Sequence, residues 1–156
     1  MKFKSGDIYD GKWDDGVMHG QGIMIYADIF EDDEDEEDDE EEKKEDIKVT
    51  SSFEGIFEHG KRKEGTLTYG NGDVYTGSFT EDGVRDSGSI TFLNGDEFAG
   101  LFDNGAIQTG IMTFKSGDIY SGEFKESMFH GSGKLVYANG DEYSGEFVLG
   151  AKQGYG

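Results

Sequence analysis

A chain of 156 residues is long enough for one domain, but only 33% of it is hydrophobic, which excludes a large globular core. It has 26 glycines and neither proline nor cysteine, which rules out disulfides and thiolate chemistry and favours backbone positions of positive φ. Against 14 basic residues stand 35 acidic ones, and the net charge of −21 repels nucleic-acid phosphates and anionic headgroups while favouring basic partners. The opening residues are polar, and no apolar stretch nears the roughly 20 residues needed to cross a bilayer, so the expectation is a soluble, cytoplasmic protein.

Taken in chain order, the sequence repeats itself. Residues 3–9, Phe-Lys-Ser-Gly-Asp-Ile-Tyr, recur letter for letter at residues 114–120. Units open on Tyr9, Phe53, Tyr75, Phe98, Tyr120 and Tyr143, and the last four steps are 22, 23, 22 and 23 residues. Two residues after each opener stands a glycine (Gly11, Gly55, Gly77, Gly100, Gly122, Gly145), and two further on Trp13, Phe57, Phe79, Phe102, Phe124 or Phe147. A spacing of two places these residues on one strand face.

Each unit then turns and resumes at Gly22, Gly65, Gly88, Gly110, Gly133 or, at the very end, Gly156. An aliphatic residue and an aromatic follow at the same spacing, as in Leu67 and Tyr69. The pattern predicts two antiparallel strands per unit, with Lys61, Arg62 and Lys63 in the turn of the second full unit. Asn71-Gly72-Asp73, Asn94-Gly95-Asp96, Ser116-Gly117-Asp118 and Asn139-Gly140-Asp141 join successive hairpins, as tight turns needing positive φ do. Three aromatic columns hold 18 of the 21 aromatic residues, leaving Phe30, Phe129 and Tyr155 outside. Small or polar residues such as Thr66, Thr76 and Ser121 mark the opposite face as solvated, with Ile23, Ile25, Ile56, Leu101 and Ile111 as exceptions.

The run Tyr-x-Gly-x-Phe, turn, His-Gly-x-Gly-x-Leu-x-Tyr, then Asn-Gly-Asp-x-Tyr resembles the MORN repeat, and residues 120–143 follow it almost throughout. The resemblance covers nearly the whole chain. It implies an all-β fold, an elongated single twisted antiparallel meander of tandem hairpins. A partial unit spans residues 1–8, full units span 9–52, 53–74, 75–97, 98–119 and 120–142, and a partial unit spans 143–156. It also implies scaffolding, with cytoskeletal or membrane association in many relatives, and enzymatic relatives carry their activity in a separate domain. The sequence departs from the pattern at Lys61-Arg62-Lys63-Glu64 and Val84-Arg85-Asp86-Ser87, since only Gly20, Gly131 and Gly154 keep the His-Gly glycine.

Residues 27–52 replace the usual five-residue turn, and residues 31–46 hold 14 acidic residues with only Lys43 and Lys44. Such a run is expected to be disordered. It reads as a solubilising loop, as a ligand for a basic protein segment, or as a weak calcium binder; screening of Lys61 to Lys63 by the same run is an intramolecular variant. The chain begins partway through one unit and stops where a second strand is due, so self-association through terminal strands is a further expectation.

No cofactor or metal is expected. His19 and His130 are equivalent while His59 lies in another column, and Gly131-Ser132-Gly133-Lys134 lacks the earlier glycine of a phosphate loop. Nothing singles out a catalytic pair. The expected function is a non-enzymatic protein-interaction scaffold that binds a protein or peptide along an aromatic groove lined by Tyr75, Phe79, Phe98, Phe102, Tyr120 and Phe124. The alternative is a phosphoinositide-binding, membrane-associated or cytoskeletal organising module, with Lys61, Arg62 and Lys63 as its headgroup patch.

Overall fold

The computed structural model describes residues 1–27 and 50–153. The acidic run of residues 31–46, Phe30 and Tyr155 lie outside the described residues. Among those described, twelve strands form one antiparallel sheet whose spatial order is their chain order. They are β1 (Ile8–Asp14), β2 (Val17–Ile25), β3 (Ser52–Glu58), β4 (Lys61–Thr68), β5 (Val74–Phe79), β6 (Arg85–Thr91), β7 (Glu97–Asp103), β8 (Ala106–Thr113), β9 (Ile119–Lys125), β10 (Met128–Val136), β11 (Glu142–Val148) and β12 (Ala151–Gln153). No helix long and apolar enough to cross a membrane is present among the described residues.

The register is fixed by glycine. From Gly11 through Gly22, Gly55, Gly65, Gly77, Gly88, Gly100, Gly110, Gly122 and Gly133 to Gly145, each member of the row is directly paired with the next. The bare row is required because rings lie across it. A Cβ on Gly133 would strike the Tyr120 ring, with Cζ at 2.7 Å, and a Cβ on Gly110 would stand 2.8 Å from Phe98 Cζ and from Gly100 Cα.

Two kinds of turn alternate along the sheet. Inside hairpins, Asp15-Gly16, His59-Gly60, Asn104-Gly105, Glu126-Ser127 and Leu149-Gly150 place two successive residues at positive φ, the geometry whose twist matches paired strands. Between hairpins the Asn-Gly junctions are wider than expected, and only the glycine has positive φ, for example Gly72 at +97°. Tyr69 N–H donates to Asp73 O and Gly72 N–H to Tyr69 O, while the Asn71 side chain accepts from Asp73 N–H at 2.9 Å.

The second strands begin earlier than the spacing predicts. Val17, Lys61, Arg85, Ala106 and Met128 open strands three or more residues before the row glycine, and Ala151 does so before Gly156. Residues read as turn therefore belong to the sheet, Lys61, Arg62 and Lys63 included, and β12 already supplies a second strand to the last unit. A bulge in each of the first five hairpins absorbs the extra length. In β3–β4 the steps from Gly55 to Phe57 face those from Gly65 to Arg62, whereas in β9–β10 the steps from Gly122 to Phe124 face those from Gly133 to Phe129. The bulge is one residue in the first case and two in the second. The two-residue form recurs in β1–β2, and both examples carry a positive-φ glycine, Gly20 at +72° and Gly131 at +61°. The His-Gly glycine is missing from the intervening hairpins because a one-residue bulge has no place for it.

Candidate functional site

Among the described residues, one face of the sheet carries the phenylalanine, tyrosine and tryptophan rings, and period-two alternation puts them there. Trp13, Tyr9, Phe57, Phe53, Phe79, Tyr75, Phe102, Phe98, Phe124, Tyr120, Phe147 and Tyr143 form an unbroken chain of edge-to-face contacts with centroids 5.0–5.5 Å apart. The six residues expected to line a groove, Tyr75, Phe79, Phe98, Phe102, Tyr120 and Phe124, belong to this chain and are at most 8% exposed. They form the core together with Met24, Leu67, Ile90, Met112 and Leu135. Tyr75 Oη donates to Ser78 O at 2.6 Å and Tyr120 Oη to Glu123 O at 2.8 Å, so the phenol groups are occupied as well. Burial pushes the Tyr9, Tyr75 and Tyr120 hydroxyls above the usual tyrosine pKa.

What lies over the rings is a column that sequence spacing misses. Opposite the second aromatic of each hairpin stand Met18, Arg62, Arg85, Ile107, Phe129 and Lys152. Bulges of differing length break the count from the row glycine, so no fixed spacing finds them. Phe129, outside the three sequence columns, stacks flat on Tyr120 with centroids 3.9 Å apart. Beside the column run the third-column aromatics Tyr26, Tyr69, Phe92, Phe114 and Tyr137, which pack against the core and are only partly buried.

The cationic members lie over rings. The Arg62 guanidinium sits 4.7 Å from the Phe79 centroid and 5.8 Å from that of Tyr26, and its Nη2 donates to Gly83 O at 3.0 Å. Burial raises the Tyr26 pKa, and the Arg62 charge partly offsets the rise. Arg85 lies 5.1 Å from Phe102 and donates through Nε and Nη2 to Gly105 O. Lys152 lies 4.8 Å from Tyr143.

Several clefts open along this column. One of about 480 Å³ is bounded by Met18, Met24, Tyr26, Phe57 and Arg62, with Lys61, Glu81 and Asp82 at its mouth. The next, about 370 Å³, lies between Arg62 and Arg85 over Leu67, Tyr69, Phe79 and Val84. A third of about 540 Å³ is bounded by Arg85, Ile90, Phe92, Ile107 and Met112.

The basic patch expected at Lys61, Arg62 and Lys63 is divided between separate duties. Lys63 Nζ pairs with Glu58 at 3.0 Å and holds that carboxyl below its usual pKa, Lys61 Nζ donates to Glu81 O, and Arg62 lies on the rings. The acidic segment is rooted at Ala27 and Thr50, at the edge of the between-hairpin turns, whereas Lys61 follows the His59-Gly60 turn at the other edge.

Among the described residues no group of three candidate metal ligands occurs. The structure does bring His19 and His59 together, with ring centroids 6.0 Å apart, although the sequence assigns them to different columns. Gly131 to Lys134 lie within β10, and Lys134 pairs with Glu142 at 2.8 Å. On the ring-free face, Ile23, Ile25, Ile56, Leu101 and Ile111 are 37–49% exposed.

A family model described as MORN repeat matches residues 9–28, 53–74, 120–142 and 143–156. Comparison with the curated proteins found no match.

Proposed function

The chain belongs to the MORN-repeat family, a non-enzymatic repeat family, and on that footing we propose that it is a protein-interaction scaffold that receives a partner segment along its ring-bearing face. The observation that carries this reading is the contrast between two layers. The buried layer repeats, with aromatic rings and glycines in every hairpin, and so sets shape alone. The column above it changes from hairpin to hairpin, through methionine, arginine, isoleucine, phenylalanine and lysine, and so can give each position its own contact. In this reading the partner touches the clefts and the half-buried rings Tyr69 and Phe92, not the six core aromatics.

Membership of a family that also contains membrane-associated modules keeps a lipid role in view. Its support here is weaker: Lys63 is paired with Glu58 and the chain carries −21, so an anionic bilayer meets little accessible positive charge. The acidic segment adds a second attraction for partners with a basic stretch.

Photo-crosslinking tests the proposal. A crosslinking residue at Ile107, on the ring-bearing face, is expected to capture a cellular protein that the same residue at Ile111, on the opposite face, does not. Capture from Ile111 alone would sink it.

A further inference from the structure

Resting on the ring-face reading, the partner's own chemistry can be narrowed. The cleft between Arg62 and Arg85 is lined by no carboxylate, in a chain with 35 acidic residues. Among the described residues neither guanidinium is paired with an acid. Both are held before any partner arrives, Arg62 by Gly83 O at 3.0 Å and Arg85 through two nitrogens by Gly105 O, and each rests on rings. A guanidinium has five N–H donors, so both retain unused donors over an apolar floor of Leu67, Tyr69 and Val84. On either side lie clefts with apolar walls, at Met18 and Met24 towards β2 and at Phe92, Ile107 and Met112 towards β8.

We infer that the occupant of this face is a protein segment with one or more carboxylate side chains seated between Arg62 and Arg85, flanked by apolar side chains that enter the two outer clefts. Arg62 and Arg85 stand two strands apart, about 10 Å, and the outer clefts about four strands apart, so the apolar anchors are separated by roughly 19 Å. That distance is about 13 residues of helix or about 6 of extended chain. A carboxylate fits better than a phosphate, because part of each guanidinium is already committed to a glycine carbonyl and the floor is apolar. A bidentate carboxylate needs one pair of donors. Held arginines also lower the ordering cost of binding. The favoured segment is thus opposite in charge to the basic partner that the total of −21 attracts: net charge steers from a distance, whereas the cleft selects at contact.

The test is a selection of random linear peptides, about 20 residues long to exceed the helical span, displayed on phage against the full-length chain. Selected peptides are then titrated against wild type, R62Q, R85Q, R85K and, on the opposite face, I111E, with circular dichroism and melting confirming that each variant is folded. The expected result is enrichment of Asp or Glu between apolar positions, about a tenfold loss of affinity in R62Q and in R85Q, partial recovery in R85K and no change in I111E. Ring-face binders that lack carboxylates, or that bind R62Q and R85Q as well as wild type, overturn this inference and leave the ring-face reading standing. Ring-face binding is identified by its loss in I107W, which fills the outer cleft; a selection yielding no peptide sensitive to I107W removes the ring-face reading itself. Vesicles containing phosphatidylinositol 4,5-bisphosphate form the last arm, and binding to them that disappears in R62Q and R85Q overturns the proposal in favour of a lipid headgroup.

Discussion

The hairpin β9–β10 and the central hairpins β5–β6 and β7–β8 share the buried ring chain and the glycine row, yet differ in what covers them. In β9–β10 a two-residue bulge with Gly131 at positive φ accompanies Phe129, which lies flat on Tyr120 and closes the face. In the central pair, one-residue bulges bring up Arg85 and Ile107, and clefts remain. The family model matches the first region, and residues 75–119 fall outside the matched segments. The repeat can therefore lose part of its signature without losing its sheet. Rings and glycines specify the fold, and the stretch between the second aromatic and the row glycine specifies how open the face is.

The largest expected effect tests the shared part. Gly100→Ala should cost about 3 kcal/mol, because the new Cβ would meet backbone on the facing strand, Thr109 O and, at 2.7 Å, Gly110 Cα. At Gly145 the atoms nearest the same Cβ belong to the Tyr143 side chain, so Gly145→Ala should cost about 1 kcal/mol, a ring being able to shift where backbone cannot. Urea unfolding of the two variants measures both, and equal losses would break the view that the row is set by backbone contact.

Next comes the difference between the regions. Phe129→Ala should cost about 2 kcal/mol and Ile107→Ala about 1, since Phe129 gives up a flat stack and Ile107 already borders open space. Similar losses in thermal or denaturant unfolding would erase the distinction between closed and open hairpins. Gly131→Ala should cost about 1 kcal/mol through its φ of +61°, while Ser87→Ala, in the corresponding stretch of β6, should be near neutral.

The smallest effect appears only in alkali. Tyr75 has its hydroxyl pKa raised in the fold by burial, so between the unfolded value of 10.0 and the higher folded value the native state keeps a proton that the unfolded chain has lost. Its contribution is whole below pH 10.0 and declines as pH rises through the folded pKa. Tyr75→Phe removes that titration, and although it loses the bonds to Ser78 O and Ser87 O, its stability should fall less steeply above pH 10.0 than that of wild type. Unfolding free energies measured from pH 8 to 11 with parallel slopes would contradict this.

Much of the molecule could be read from spacing. The opener, glycine and second-aromatic columns lie two residues apart, and each took its expected place in the strand. The column over the rings was hidden because a bulge changes the spacing by one residue, so Phe129 looked like a stray aromatic and Arg62 like part of a turn. The site expectation erred for a related reason. Ring columns with no visible second layer suggest an open groove, but edge-to-face packing of Tyr75 on Phe102 and of Phe98 on Phe124, each in the next hairpin, buries them without one. The proximity of His19 and His59 depends on β2 pairing with β3 across the acidic segment, which only the strand order reveals.

The between-hairpin turns are sewn to one another. Asp7 Oδ1 accepts from Ala27 N–H, Asp73 Oδ1 from Leu93 N–H, Asp96 Oδ1 from Lys115 N–H and Asp118 Oδ1 from Ala138 N–H, at 2.7–2.9 Å. Where the acidic segment interrupts the series, Ser51 Oγ takes the aspartate's part and accepts from Gly70 N–H, and Tyr26 N–H donates to Ser51 O. Both roots of the insertion are thus anchored as an ordinary turn would be. A connection of residues 27–52 in place of five residues then costs only closure entropy, about 1.5 kcal/mol, since that term grows with the logarithm of length. Any of these turns is accordingly a place where the chain can acquire a long appendage while the sheet keeps its pitch.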